Sequence, residues 1–107
     1  MTTVVNIRTD PDKCDVYIGR ARYLKDRHYG NPFVIGKDGD REEVVEKFRE
    51  WLEGSRVLYG EQKRRKFILS NLPKLKGKRL GCFCAPRACH GDVLADMADR
   101  ELSHEDL

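Results

Sequence analysis

Cys82, Cys84, Cys89, His90 and Asp92 fall within eleven positions, in the run Leu80-Gly81-Cys82-Phe83-Cys84-Ala85-Pro86-Arg87-Ala88-Cys89-His90-Gly91-Asp92-Val93-Leu94. Two chemistries suit residues of these types at this spacing. Cys82, Cys84, Cys89 and His90 are four soft ligands in nine residues, enough for a tetrahedral zinc ion. Their order, Cys-x-Cys-x4-Cys-His, matches none of the usual finger or ribbon spacings, and adjacent Cys89 and His90 would have to converge on one ion. The other chemistry is anion binding with a reactive thiol. A helix opening near Cys89 turns bare N–H groups toward the loop, and Arg87 and Arg20 add charged donors. Cys84 or Cys89 beside His90 is a candidate nucleophile, with His90 and Asp92 as acid–base groups and Gly91 giving backbone access. Cys82 and Arg87 also have the Cys-x4-Arg spacing of sulfur-transfer loops, a weak signal. The plainest alternative is a buried strand carrying small sulfur residues. That reading fits Cys82 best, because it sits deepest in the strand.

The elements that must position this run follow from periodicity and turn chemistry. Thr3 to Ile7 is rich in β-branched residues and reads as a first strand; Val16 to Ile18 reads as a second. The Thr9-Asp10-Pro11-Asp12 turn between them is compatible with a hairpin. Cys14 in that turn reads as a small half-buried residue. A long polar and aromatic loop from Arg22 to Asp40 contains Tyr29-Gly30-Asn31-Pro32-Phe33, in which Asn31 is a candidate to read a polar ligand edge and Phe33 an anchor. The plainer reading is a turn packed under Phe33 and Ile35. Asp40 is placed to cap a helix whose apolar face is Val44, Val45, Phe48, Trp51 and Leu52, with Gly54 as its stop. A second helix is expected over 60–69, with Lys63 to Lys66 on its outer surface and a break at Asn71-Leu72-Pro73. Arg79 to Cys84 reads as a third strand. A last helix opens at Cys89 and buries Val93, Leu94, Met97 and Leu102, and residues 103–107 read as a frayed acidic tail. His28 and His104 read as surface histidines.

This order predicts one domain over 1–107, of α/β or α+β class. The architecture expected is a small three-layer one, with a short sheet of about three or four strands and helices packed on it. A right-handed parallel crossover would bring Gly19-Arg20 and the Cys84-to-Asp92 loop to one sheet edge.

The chain is 107 residues with a formal net charge of +3. From Gln62 to Gly91 there are nine Lys/Arg and no Asp or Glu, a block that suits phosphate-bearing molecules or nucleic acid. No apolar run is long enough to span a membrane, and the N-terminus has no basic-then-apolar leader, so the cytoplasm is the expected compartment. Four cysteines there are expected as thiols.

Val5-Asn6-Ile7-Arg8, Tyr17-Ile18-Gly19-Arg20, Tyr29-Gly30-Asn31-Pro32-Phe33, and Gly81-Cys82-Phe83-Cys84-Ala85-Pro86 through Cys89-His90-Gly91-Asp92-Val93-Leu94 occur in one order. Together they resemble the small uncharacterised family catalogued as domain of unknown function 4326, common in bacteriophages and bacteria. The resemblance runs from Val4 to Ala98. It implies a phage or bacterial intracellular protein whose Asn-Pro-Phe and Cys-His-Gly-Asp motifs meet at one site, and it implies no reaction. The Cys-His helix start is also similar, more loosely, to another uncharacterised family of small α/β proteins.

Two functions are therefore expected to compete. One is a domain that binds a nucleotide, nucleoside or nucleic-acid phosphate through Arg20, Asn31 and the Cys84-to-Asp92 loop, with or without catalysis. The other is a non-catalytic, zinc-stabilised module that binds nucleic acid or a host protein through the basic Lys63-to-Arg79 surface. Inhibition or redirection of a host enzyme is compatible with the size of the chain, and oligomeric state is not encoded in any local pattern.

Overall fold

A computed structural model describes residues 1–54 and 60–105, with the side chains of Arg22 and of residues 101–105 excepted. Three strands, β1 (Thr3–Asn6), β2 (Val16–Tyr17) and β3 (Arg79–Cys82), form a parallel sheet in the order β1-β3-β2. Three helices accompany it: α1 (Arg41–Glu53), α2 (Gln62–Leu75) and α3 (His90–Glu105). The α/β class and the three-strand sheet are as the sequence leads one to expect. The frayed tail expected at 103–107 falls partly within α3, which continues to Glu105, and partly outside the described residues. Leu102 is also beyond the described side chains.

The hairpin between β1 and β2 is not what forms. Both strands pair in parallel with β3, which lies between them. After β1, the amide of Ile7 donates to the Cys82 carbonyl at the carboxyl end of β3. Residues 8–14 then carry the chain back, and the amide of Asp15 donates to the Arg79 carbonyl at the start of β3. The Asp15 carboxylate meets the Arg79 guanidinium at 3.0 Å, which fixes where β2 begins. Gly81 leaves room for this return path. A Cβ there would lie 2.3 Å from Cys14 Sγ and 2.5 Å from Ile7 Cγ2, so the connection packs against bare strand backbone. Cys14 is half-buried at this point, as read from the sequence.

The other side of the sheet faces the helices. Leu80 and Cys82 of β3 join Ile18, Phe48, Trp51, Ile68, Leu72, Val93 and Leu94 in one buried cluster, with Val4 and Val16 packed against it. Local signals set α1 as expected. Asp40 accepts from the Glu43 amide while the Glu43 side chain accepts from the Asp40 amide, and Gly54 ends the helix in the left-handed region at φ 96°.

Two expectations about α2 are corrected. Pro73 does not break it, because the helix continues to Leu75. The proline falls in the last turn, where Leu72 and Leu75 are both buried in the core. Their burial outweighs one lost backbone bond. Arg64 is not on the outer surface either: it is 2% exposed. Its guanidinium lies 5.3 Å over the Trp51 ring, donates from Nε to Glu61 at 3.2 Å, and reaches the Gly30 carbonyl through Nη1. Periodicity puts Arg64 four residues before Ile68 and eight before Leu72, on the buried stripe; its charge masks that phase in the sequence.

No helix among the described residues is long and apolar enough to cross a membrane.

Candidate functional site

The carboxyl ends of β2 and β3 open into a cleft of about 420 Å³. Gly19 and Arg20 follow β2 on one side, and Phe83, Cys84 and Ala88 follow β3 on another. The Asn31-to-Ile35 segment and the first turns of α1, through Arg41, Val44 and Val45, complete the wall. Cys82, Cys89 and His90 also line it. The two sequence motifs thus meet where parallel α/β sheets hold their ligands.

His90 is held with its ring edge-on to Phe48, the centroids 5.2 Å apart, and its Nε2 is 2.7 Å from the Ile18 carbonyl. A carbonyl only accepts, so Nε2 carries the hydrogen and Nδ1 is left as the basic nitrogen. Burial pushes the ring pKa down to about 4, against a smaller upward pull from the Ile18 bond. The positive charges of Arg20 and Arg64 add to the depression. The imidazole is therefore neutral at pH 7, able to act as a base and unable to serve as a permanent cation.

Cys89 and Asp92 build the start of α3. The Gly91 amide donates to Cys89 Sγ at 3.2 Å, and the Cys89 amide donates to the Asp92 carboxylate at 3.0 Å. Cys89 thus caps the helix through its sulfur at the second helical amide, and the Asp92 carboxylate supplies the return bond that a capping box has. The helix N-terminus proposed as an anion seat is occupied by these side chains. Asp92 is exposed and not part of the cleft wall, so its visible role is to close this cap.

Cys89 Sγ lies 3.4 Å from Cys82 Sγ. At that distance one thiol can donate a hydrogen bond to the other. A hydrogen bond from Cys89, and a further one from the Cys84 amide, bring Cys82 down to about 6 against the cost of burial. The same contact, together with burial, pushes Cys89 up. Cys84 is half-buried, two residues beyond Cys82 on the cleft side.

The four candidate metal ligands do not converge. Among the described residues, no three His, Cys, Asp or Glu side chains are grouped so as to hold a metal ion. His90 turns Nε2 to the Ile18 carbonyl, and the nearest sulfur partners are Cys82 and Cys89, which face one another.

Asn31 lines the cleft, but its amide is used for architecture. Nδ2 donates to the Val44 carbonyl at 3.0 Å, and Oδ1 accepts from the Phe33 amide at 2.9 Å, an Asx turn that docks the loop on α1. Arg20 clamps the same segment, Nε on the Asn31 carbonyl and Nη2 on the Phe33 carbonyl, both at 3.0 Å. Phe33 is buried, whereas Ile35 is 50% exposed. Arg87 and Gly91 are outside the cleft wall. The Arg87 amide closes a turn onto the Cys84 carbonyl. Gly91 is buried, and a Cβ there would come within 2.7 Å of Ile18.

Gly30 joins this loop to the end of β2. A Cβ at Gly30 would lie 2.8 Å from Arg20 Cα and 3.0 Å from Arg20 N, backbone atoms that cannot swing aside. Gly30→Ala is expected to cost about 2 kcal/mol through overpacking and to displace the cleft wall. A urea midpoint equal to that of the wild type would refute this account of Gly30.

Sequence reasoning missed Arg41, Tyr17, Val34 and the rim position of Phe83. Arg41 Nη1 donates to the Ala88 carbonyl at 3.1 Å, tying α1 to the cysteine loop. The Asp40 cap already placed Arg41 in the first turn, but only the packing brings that turn to the cleft. At the mouth, Phe83 stands edge-on to Tyr17 with centroids 6.2 Å apart, and the Arg8 guanidinium lies 5.0 Å over its ring.

The molecule is thus a small parallel α/β domain with a cysteine- and histidine-floored cleft at the carboxyl ends of its strands. It belongs to the family described as domain of unknown function DUF4326, whose model matches residues 5–100. It is 37% identical over 87 residues to the uncharacterized 12.4 kDa protein of the nrdA-td intergenic region of Enterobacteria phage T4. That match covers 80% of this chain and 68% of the relative. It is 30% identical over 116 aligned positions to the uncharacterized protein R718 of Acanthamoeba polyphaga mimivirus, covering 91% of this chain and 81% of the relative. No solved structure matches the chain.

Proposed function

We propose that the cleft binds a nucleotide or a nucleoside phosphate. The observation that carries this reading is the pairing of two guanidinium groups, Arg20 and Arg41, with a wall of Tyr17, Phe33, Val44 and Phe83 around one opening. Aromatic and apolar surface suits a base and sugar, and guanidinium suits phosphate oxygens. A volume of about 420 Å³ is of the size that small-molecule sites have. Among the described residues the hydrogen bonds of Arg20 to the Asn31 and Phe33 carbonyls use Nε and Nη2, which leaves Nη1 for such a contact. His90 Nδ1 and the Cys84 thiol are the groups that would face the ligand and do chemistry on it. A cytoplasmic location fits the four unpaired thiols.

A thermal-shift panel of nucleosides, mono-, di- and triphosphates and short oligonucleotides tests the proposal. A true ligand at a hundred times its Kd stabilises by about 2.7 kcal/mol. Arg41→Ala is expected to weaken that ligand by about tenfold, the share of one charge-assisted contact. Absence of any shift across the panel at millimolar ligand removes the reading. A shift that Arg41→Ala leaves unchanged moves the site away from this cleft.

A further inference from the structure

The binding reading leaves the facing thiols of Cys82 and Cys89 without a task. Cys82 Sγ, at the end of β3, and Cys89 Sγ, capping α3, are 3.4 Å apart, a separation from which covalent bonding needs only a small approach. Each sulfur also receives a backbone N–H: Cys84 to Cys82 at 3.4 Å, and Gly91 to Cys89 at 3.2 Å. Donors aimed at sulfur favour the thiolate, the form that reacts. Both cysteines are only 2–3% exposed, yet both belong to the cleft wall. A small oxidant reaching them through the cleft fits this arrangement better than a bulky one. Cys14 packs on the opposite face of β3, against Gly81, and is no partner for the pair.

We propose that Cys82 and Cys89 form a dithiol redox centre that opens into the cleft and is oxidised by a small hydroperoxide to an intrachain disulfide. In the first step the Cys82 thiolate attacks a peroxide oxygen and the O–O bond breaks. Cys82 becomes a sulfenic acid, and the leaving oxygen takes back from solvent the proton that Cys82 released on forming the thiolate, departing as an alcohol, or as water when the oxidant is hydrogen peroxide. In the second step Cys89 Sγ attacks Cys82 Sγ. The S–S bond forms, the S–O bond breaks, and the hydroxyl leaves as water with the Cys89 proton. The sum is two thiols and one hydroperoxide giving one disulfide, one alcohol and one water, with sulfur oxidised and peroxide oxygen reduced. A thiol reductant restores the pair.

The geometry of the pair is independent of what else the cleft binds, so the nucleotide panel and the following experiment fail separately. Reduced full-length protein is treated with stoichiometric hydrogen peroxide, alkylated, digested with trypsin and mapped by mass. Cleavage after Arg79, Arg87 and Arg100 puts Cys82 in the peptide 80–87 and Cys89 in the peptide 88–100. The expected product joins these two peptides with loss of two hydrogens, reverses with dithiothreitol, and forms at least about tenfold faster than Cys14 is oxidised. Cys84 shares the first peptide, so Cys84→Ser must keep the cross-link and Cys82→Ser must lose it. Cys89→Ser keeps the helix cap, because a serine hydroxyl accepts the same N–H. In that variant the reaction is expected to stop at a Cys82 sulfenic acid that dimedone traps. A cross-link through Cys84, sulfinic acid without any cross-link, or thiols that survive unchanged would each overturn the proposal.

Discussion

Arg64→Ala is expected to lower the unfolding free energy by about 3 kcal/mol, combining a core-sized cavity with an orphaned carbonyl. That corresponds to a fall of roughly 12–20 °C in Tm for a chain of this size. Arg64 is buried between α1, α2 and the loop before Asn31. Its side chain covers the Trp51 ring and satisfies the Gly30 carbonyl. Truncation opens space beside Trp51 and leaves Gly30 without that partner, at the point where the cleft loop turns. Glu61 is 45% exposed, so the loss of its 3.2 Å ion pair contributes little. Arg64→Met, which restores most of the volume and none of the donors, is expected to recover about half of the loss. Arg64→Lys is expected to behave like a truncation, because an ammonium lacks the flat face that lies over Trp51 and the fork that reaches Glu61 and Gly30 together. Urea melts of the three variants decide the matter. Equal midpoints for wild type and Arg64→Ala would show that the buried guanidinium holds nothing together.

Acidification from pH 7 to pH 4 is expected to remove about 3 kcal/mol of stability through His90 alone. The ordinary histidine pKa is 6.5, and burial holds the native ring down to about 4. Between those values the unfolded chain binds a proton at His90 and the native protein does not. Acid therefore favours unfolding across that window, while stability is complete above pH 6.5 and the loss is complete below pH 4. His28, whose pKa burial also depresses, acts in the same direction. Asp15 and Asp99 act elsewhere. The Arg79 guanidinium brings Asp15 down to about 2, and the Thr2 hydroxyl lowers Asp99, so both withdraw their contributions only below the ordinary carboxylate range. His90→Gln separates these effects, because its amide can still donate to the Ile18 carbonyl and does not titrate. Denaturant melts at half-unit pH steps are expected to show a shallower slope between pH 6.5 and 4 in the variant. Parallel curves for variant and wild type would mean that His90 is not the buried neutral base described above.

The stretch where the cleft-lining cysteines and histidine collect could be read from the residues, and so could the ends of the helix beside it. Asp40, Glu43 and Gly54 define α1 through contacts three or four residues long, so the information lies in adjacent letters. The crowding of Cys82, Cys84, Cys89 and His90 is likewise a property of one short stretch. Their tasks were harder to read. Asn31 has the chemistry of a ligand reader, yet its amide is consumed by Val44 and Phe33, one of which lies on another element. Asp92 has the chemistry of a general base, yet it closes a cap. A donor or acceptor has few valences, and only the folded structure shows which are already filled.

What the sequence by itself determined was the α/β class, the bounds of α1, and the stretch where reactive groups collect, because hydrophobic period, capping and turn chemistry act between near neighbours. Tertiary structure alone decided that β3 inserts between β1 and β2, that the Arg64 guanidinium lies over Trp51 and reaches Gly30, that Pro73 stays in its helix, and that Arg41 joins the cleft. Each of these depends on a partner at least nine residues away or on core burial of the surrounding turn. No local pattern records such a partner, since the free energy that selects it exists only when both segments are in place.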